Sequence, residues 1–256
     1  MPRASCQVYV IKLGGSLITI KSMPRTVDEI MLNKAANIIA YARSNGTQIA
    51  VVHGGGSYGH HEVEAILRSK GRLEPPDAAR IQRAMIDLSL IVVERLLERG
   101  VPASMHPPHT YCYRDACNYG ALKRDLAHSL VPVTYGDALP TEDGVAIISG
   151  DRLASDLSLE IGPGACLVYA MREEHILSPE GRPLRVVKSL DDFSVIGGSS
   201  DFTGGIKTKV AEALRAAAGG VRVVITGIVG LEKILVRGED PENVGTLIGL
   251  EREGWR

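Results

Sequence analysis

Hydrophobic and polar positions along this chain alternate between a period of two and a period near 3.6. Gln7 to Leu13 is an apolar run of strand length, Q-V-Y-V-I-K-L, interrupted only by Lys12. From Asp28 to Ser44 the spacing becomes helical: Ile30, Met31, Ala35, Ile38, Ile39 and Ala42 recur every three or four positions, and Gly46 supplies the stop. Thr47 to Val52 returns to a β-branched run. Strand, helix, strand in that order predicts a parallel βαβ unit. Farther on, Glu62 to Ser69 and Ala78 to Arg99 read as helices, the second carrying Ile81, Met85, Leu88, Val92 and Leu96 in one stripe up to Gly100. Val101 to Cys117 breaks both periods and reads as an irregular wall of Pro, His and Tyr. Ala121 to Leu130 is then a short helix, Pro132 to Tyr135 a strand, Gly136-Asp137 a turn and Val145 to Ile148 a strand. Leu153 to Ile161 is helical, Ala165 to Ala170 a strand, and Met171 to Pro183 a charged loop or hairpin. Ile206 to Ala218 reads as a helix and Val221 to Thr226 as a strand, with Ile234 to Val236 and Gly245 to Ile248 as short closing strands. The pattern predicts an α/β fold: a three-layer αβα sandwich around a mainly parallel sheet.

Composition narrows the class. The 256 residues are 45% hydrophobic and 23% charged, enough to bury one large core. A formal net charge of -1 without long like-charge runs points away from a nucleic-acid partner. No apolar run approaches the roughly 20 residues of a bilayer span. The four cysteines, Cys6, Cys112, Cys117 and Cys166, contain no C-x-x-C pair. Neither a disulfide framework nor a zinc site is therefore expected, and a reducing cytoplasm is the default. Nothing shifts sharply in composition. The expected division is residues 1–160 as one lobe and 161–256 as another, on one continuous sheet and in effect a single domain.

The candidate chemistry lies in loops. Val51-Val52 runs into His53-Gly54-Gly55-Gly56-Ser57, then Tyr58-Gly59-His60-His61. Three successive glycines cost backbone entropy that a strand or helix interior does not repay. They suit a turn in which N–H groups approach an anion ahead of a helix. Lys12-Leu13-Gly14-Gly15-Ser16 repeats the arrangement, with a lysine at a buried strand end where its charge needs a partner. Ser149-Gly150-Asp151 and Thr203-Gly204-Gly205-Ile206-Lys207-Thr208-Lys209 complete the set. Loops at the carboxyl ends of parallel strands gather on one edge of the sheet. Two lysines, several backbone donors and an aspartate meeting there suit phosphoryl transfer, which needs positioning and charge neutralisation more than covalent help. A Walker-type G-x-x-x-x-G-K-[ST] is absent from the sequence. His106 and His109 are candidate metal ligands without a third at usual spacing, so no metal site is assigned.

Taken in order, K-L-G-G-S, H-G-G-G-S, S-G-D, T-G-G-x-x-x-K and a late G-T-L-I resemble the amino acid kinase superfamily over nearly the whole chain. Within it, the extension G-G-G-S-Y-G-H is similar to the archaeal isopentenyl phosphate kinases, with fosfomycin kinases as the nearest rival. The resemblance implies ATP-dependent phosphorylation of isopentenyl phosphate to the diphosphate for isoprenoid synthesis, with Mg²⁺ accompanying ATP. It also implies a homodimer with a small-molecule phosphate substrate. The residue roles it implies are these. Lys12 contacts the transferring phosphoryl group, Gly14, Gly15 and Ser16 surround the ATP phosphates, and Lys21 lies near them. Gly55 lines the acceptor phosphate and Gly56 the ATP, while His60 donates to the acceptor; His61→Ala, by contrast, is expected to do little. Gly150 touches substrate, Asp151 holds the active-site lysines, and Gly205 and Lys209 serve the nucleotide. Bottom-up, Asp151 is equally a helix N-cap before Leu153, and Lys207 is the alternative to Lys209. Ile66, Ile86 and Tyr135 are candidate walls for the alkenyl tail. One departure stands out: the family's T-D-V-D-G-V-Y after the strand Ala165 to Ala170 is replaced by Met171-Arg172-Glu173-Glu174-His175-Ile176-Leu177. Glu173 and Glu174 are candidate stand-ins, and the departure motivates the reading of an inactive nucleotide sensor.

Overall fold

The structure is a computed structural model describing residues 6–114, 116–178, 180–193 and 205–249. Its strands are β1 (Val8–Leu13), β2 (Gln48–His53), β3 (Ala103–Met105), β4 (Cys112–Tyr113), β5 (Ala116–Cys117), β6 (Val131–Tyr135), β7 (Asp137–Pro140), β8 (Val145–Ile148), β9 (Ala165–Ala170), β10 (Val186–Val187), β11 (Arg222–Thr226) and β12 (Thr246–Ile248). Its α-helices are α1 (Gly15–Ile18), α2 (Glu29–Ser44), α3 (Gly56–Lys70), α4 (Asp77–Leu97), α5 (Gly120–Ala127), α6 (Gly150–Ile161), α7 (Gly205–Ala218) and α8 (Ile228–Leu235). Eight strands form one sheet in the order β10-β12-β11-β9-β1-β2-β6-β3. Every neighbouring pair in it is parallel except β11 with β12.

Strand alternation sorts the core into layers. On β1, Val10 faces a cluster with Leu122 of α5, Leu153 and Leu157 of α6 and Val210 of α7. Its neighbour Ile11 faces the opposite cluster, with Leu32 and Ile39 of α2, Leu88 and Val92 of α4 and Leu231 of α8. Successive side chains point to opposite faces of a strand, so both faces of this sheet are covered. A third, smaller cluster of Val63, Ile66, Ala78, Ile81 and Ala138 joins α3, α4 and β7 beside the sheet.

Several expectations need correction. The helix expected from Glu62 begins at Gly56, so the glycine turn is itself the first helical turn. Ile234 to Val236, expected as a strand, falls at the end of α8. Short, wholly apolar segments carry no period that separates a buried helix from a strand. Asp137 opens β7, which pairs with β8, instead of sitting in a turn.

The largest correction concerns the cysteines. Cys6 bonds to Cys166 and Cys112 to Cys117, and among the described residues no cysteine is free. Cys112 and Cys117 lie directly opposite on the two-stranded β4–β5 ribbon. Cys6 precedes β1, whose neighbour β9 carries Cys166, with Cα atoms 5.5 Å apart. Pairing across a sheet leaves no sequence spacing to read. The cysteine argument for a reducing compartment therefore falls away.

Candidate active site

The carboxyl ends of β1, β2, β6 and β9 open onto a cavity of about 460 Å³. Four helices begin at its wall, α1 at Gly15, α3 at Gly56, α6 at Gly150 and α7 at Gly205. Their free N–H groups and aligned dipoles favour anions. The loops are packed too closely to carry side chains. A Cβ on Gly15 would land on the Gly56 backbone, and one on Gly54 would stand 2.8 Å from the Gly15 nitrogen. Gly56 also needs a left-handed φ of 48°, which L side chains resist.

At the cavity floor the Lys12 ammonium lies 2.7 Å from Asp151 Oδ1, and the Lys209 ammonium donates to the same oxygen at 2.8 Å. Lys12 is the penultimate residue of β1, Asp151 occupies the first turn of α6, and Lys209 sits one turn into α7, so three separate elements meet on one carboxylate. Burial pushes the Lys12 ammonium down to about 8; the Asp151 charge works against that shift and Lys209 adds to it. Burial alone would raise Asp151, but the two lysines hold it well below the usual carboxylate range. The Tyr169 hydroxyl donates to the Asp151 carbonyl at 3.0 Å, and its ring lies 5.3 Å from the Lys209 ammonium, a cation–π distance. The N-cap of α6 is Ser149, whose hydroxyl accepts from the Arg152 N–H at 3.1 Å. Asp151 is thus released from capping. Lys207 is exposed and does not line the cavity, which favours Lys209 of the two.

The residues assigned phosphate-handling roles from the sequence all line this cavity: Lys12, Gly14, Gly15, Ser16, Lys21, Gly55, Gly56, His60, Gly150, Asp151, Gly205 and Lys209. Thr203 and Gly204 lie outside the described residues. The apolar walls are not the ones expected. Ile66 and Tyr135 are buried in the core, and the cavity is lined instead by Val63, Ile81, Met85, Ile147 and Ile148. The helices α3 and α4 were legible, but which face of their stripes borders a cavity was not. Met85 sulfur would stand 3.2 Å from a Cβ on Gly55 and 2.8 Å from one on Gly59, so it fills the space those glycines leave. Gly136 was also missed. It follows a strand without a recognisable motif, yet its N–H donates to the His53 carbonyl at 3.2 Å.

The departing segment Met171 to Leu177 divides in two. Glu173 and His175 line the cavity. Glu174 turns away: its carboxylate accepts from the N–H groups of Gly227, Val229 and Gly230 at 3.0–3.1 Å, capping α8. The two histidines weighed as metal ligands each pair with a carboxylate, His106 with Asp125 and His109 with Asp137, both at 2.7 Å. His53 is buried beneath the glycine loops, where desolvation lowers it to about 4 and keeps it neutral.

Comparison with known proteins places this geometry. A family model described as the amino acid kinase family matches residues 7–227. The isopentenyl phosphate kinase of Haloferax volcanii is 34% identical, over 93% of this chain and 98% of its own. That of Methanothermobacter thermautotrophicus is 29% identical, over 97% of this chain and 98% of its own. The crystal structure of the Thermoplasma acidophilum isopentenyl phosphate kinase product complex superposes with a TM-score of 0.75 at 25% identity, covering 94% of this chain and 99% of that one.

Proposed function

The chain belongs to the amino acid kinase family, and we propose from that premise that it transfers the γ-phosphoryl group of ATP to isopentenyl phosphate. A bond forms between an acceptor phosphate oxygen and the γ-phosphorus as the bond to the β,γ-bridging oxygen breaks; isopentenyl diphosphate and ADP leave. The observation that carries the reading is one cavity joining a two-lysine, glycine-lined anion site to an apolar recess. A small carboxylate would leave that recess of Val63, Ile81, Met85, Ile147 and Ile148 unfilled. A five-carbon alkenyl tail fits it.

The residues take their roles from charge. The acceptor oxygen is already ionised at neutral pH, so no general base is needed. Lys12 meets the transferring phosphoryl group and Lys209 the departing phosphate, while Asp151 keeps the two ammonium groups close and charged. The α1 and α3 N-termini, with Gly14, Gly15, Ser16 and Gly56, cradle the nucleotide phosphates, and Lys21 stands near them. Gly55, His60 and Gly150 hold the acceptor phosphate. Residues 1–160 then act as the acceptor lobe and 161–256 as the nucleotide lobe. Of the carboxylates lining the cavity, Asp137 and Asp151 are already paired. That leaves Glu173 as the lining carboxylate that would approach a Mg²⁺ arriving on the nucleotide, an ion otherwise held by phosphate oxygens and water that would neutralise charge. The family resemblance suggests a homodimer, for which Ile30, Leu90 and Leu97, exposed on α2 and α4, are candidate contacts; sedimentation checks it. The cytoplasm supplies the ATP this activity needs, although the Cys6–Cys166 and Cys112–Cys117 bonds are unusual there; labelling in cells checks the setting.

The test is ADP release with Mg-ATP against isopentenyl phosphate, fosfomycin and a panel of small carboxylates. Selective turnover of isopentenyl phosphate is expected. Equal or faster turnover of fosfomycin would replace the substrate. No turnover with any acceptor, alongside measurable ATP binding, would replace the kinase with a nucleotide sensor.

A further inference from the structure

The two adjacent histidines on α3 serve different neighbours. Residues four apart share a helix face, while the next residue is turned by about 100°. Gly56 and His60 therefore form one stripe, and both line the cavity. Ser57 and His61 form the adjacent stripe, which faces the strap of residues 19–27 joining α1 to α2. The Ser57 N–H donates to Thr19 Oγ1 at 2.9 Å, and its hydroxyl donates to the Thr26 carbonyl at 3.0 Å while accepting from the Thr26 N–H at 3.1 Å. The Arg25 N–H donates to the Ser57 carbonyl at 3.1 Å. One turn along, His61 Nε2 lies 2.9 Å from the Lys21 carbonyl oxygen. A carbonyl only accepts, so Nε2 carries the proton.

Ser57 fixes the base of the strap, where Thr19 and Val27 form an isolated antiparallel bridge. Residues 21 to 25 are exposed, and they include Lys21, which lines the cavity. We propose that His61 is a positioning residue: by holding the Lys21 main chain against α3 it sets the Lys21 ammonium at the cavity rim, on the helix that also presents His60. This departs from the expectation that His61→Ala does little. It rests on the reading of Lys21 as a phosphate contact.

A double-mutant cycle tests it on the full chain, reading ATP affinity by titration together with KM and kcat. His61→Ala should weaken ATP binding and raise its KM by about 3- to 10-fold, as for one lost hydrogen bond, and leave the acceptor KM nearly unchanged. His61→Gln, whose amide nitrogen reaches the position of Nε2, should recover most of the loss. In a Lys21→Ala background, His61→Ala should add nothing. A full further loss in that background would mean a general structural role and overturn the proposal. So would a harmful Lys21→Ala beside a neutral His61→Ala. An inert Lys21→Ala would overturn the placing of Lys21 at the phosphates as well. Because ATP affinity is read without any acceptor, a wrong acceptor assignment leaves the test standing.

Discussion

Lys12 pairs with a carboxylate yet remains easier to deprotonate than a free lysine, because burial outweighs the attraction of Asp151. The sign of its pH dependence follows. Lys12 must be charged to meet the phosphoryl group, and its proton leaves as pH rises through about 8 in the empty site. The dependence of kcat/KM on pH, which reports the free enzyme, should therefore fall above about pH 8. With ATP bound, phosphate charge retains the proton, so the corresponding limb in kcat lies at higher pH. Asp151→Asn removes the anion and leaves two ammonium groups facing each other. Its kcat/KM limb should move below that of the parent; an unmoved limb would detach it from Lys12. Much of this was legible in the sequence: a lysine ending an apolar strand and an aspartate opening a helix both announce charges that need partners. That Asp151 is the partner of both lysines came only through the family resemblance, because the contacts join residues 58 positions apart and more; that they share one oxygen is new from the structure.

Glycine-to-helix is the element that repeats, and it made the cavity-lining loops legible in the sequence. At Gly15, Gly56, Gly150 and Gly205 the sequence breaks period at a glycine, and each break begins a helix at the cavity. Strongly periodic elements such as α2 and α4 were legible without such punctuation, but short apolar ones were misread. The apolar run of α8 was divided wrongly, because the cap that starts it is Glu174, more than fifty residues earlier in the chain. The tail recess was missed because Met85 and Ile81 look the same as other core positions on α4. Gly56 offers the sharpest test of the repeated element. Its left-handed φ and the Thr19 side chain in the way leave no room for a methyl group. Gly56→Ala must push the α3 N-terminus off the α1 loop, and displacements of about 1 Å at a reacting site cost about 100-fold in rate. The expected result is a loss of kcat/KM on that scale in steady-state assay, with a folded circular-dichroism spectrum. Gly71, also left-handed but with open space around it at the far end of α3, should lose some stability with alanine yet keep its kinetics unchanged.

Over the whole molecule, one sheet carries both halves of the chain, and its seam is the β1–β9 pair. Six consecutive registered positions join these strands, with Lys12 at the cavity end of one and Ala170 at the end of the other. The Cys6–Cys166 bond crosses the same seam at the opposite end, far along the strands from the lysines. Its cysteines are 160 positions apart in sequence, whereas Cys112 and Cys117 are 5 apart. Cross-linking restricts the unfolded chain more as the closed loop lengthens, by about 5 kcal/mol for the first and about 2 kcal/mol for the second in the chain-entropy account. Cys6→Ser should therefore lower the melting temperature clearly more than Cys112→Ser, each measured in the oxidised protein. Neither should change kcat, because the seam is already held by strand pairing and buried side chains where the lysines emerge. Equal shifts from the two variants would mean that loop closure does not govern the stabilisation. A fall in kcat with Cys6→Ser would mean that the alignment of the two halves at the cavity depends on a bond at the far end of the sheet.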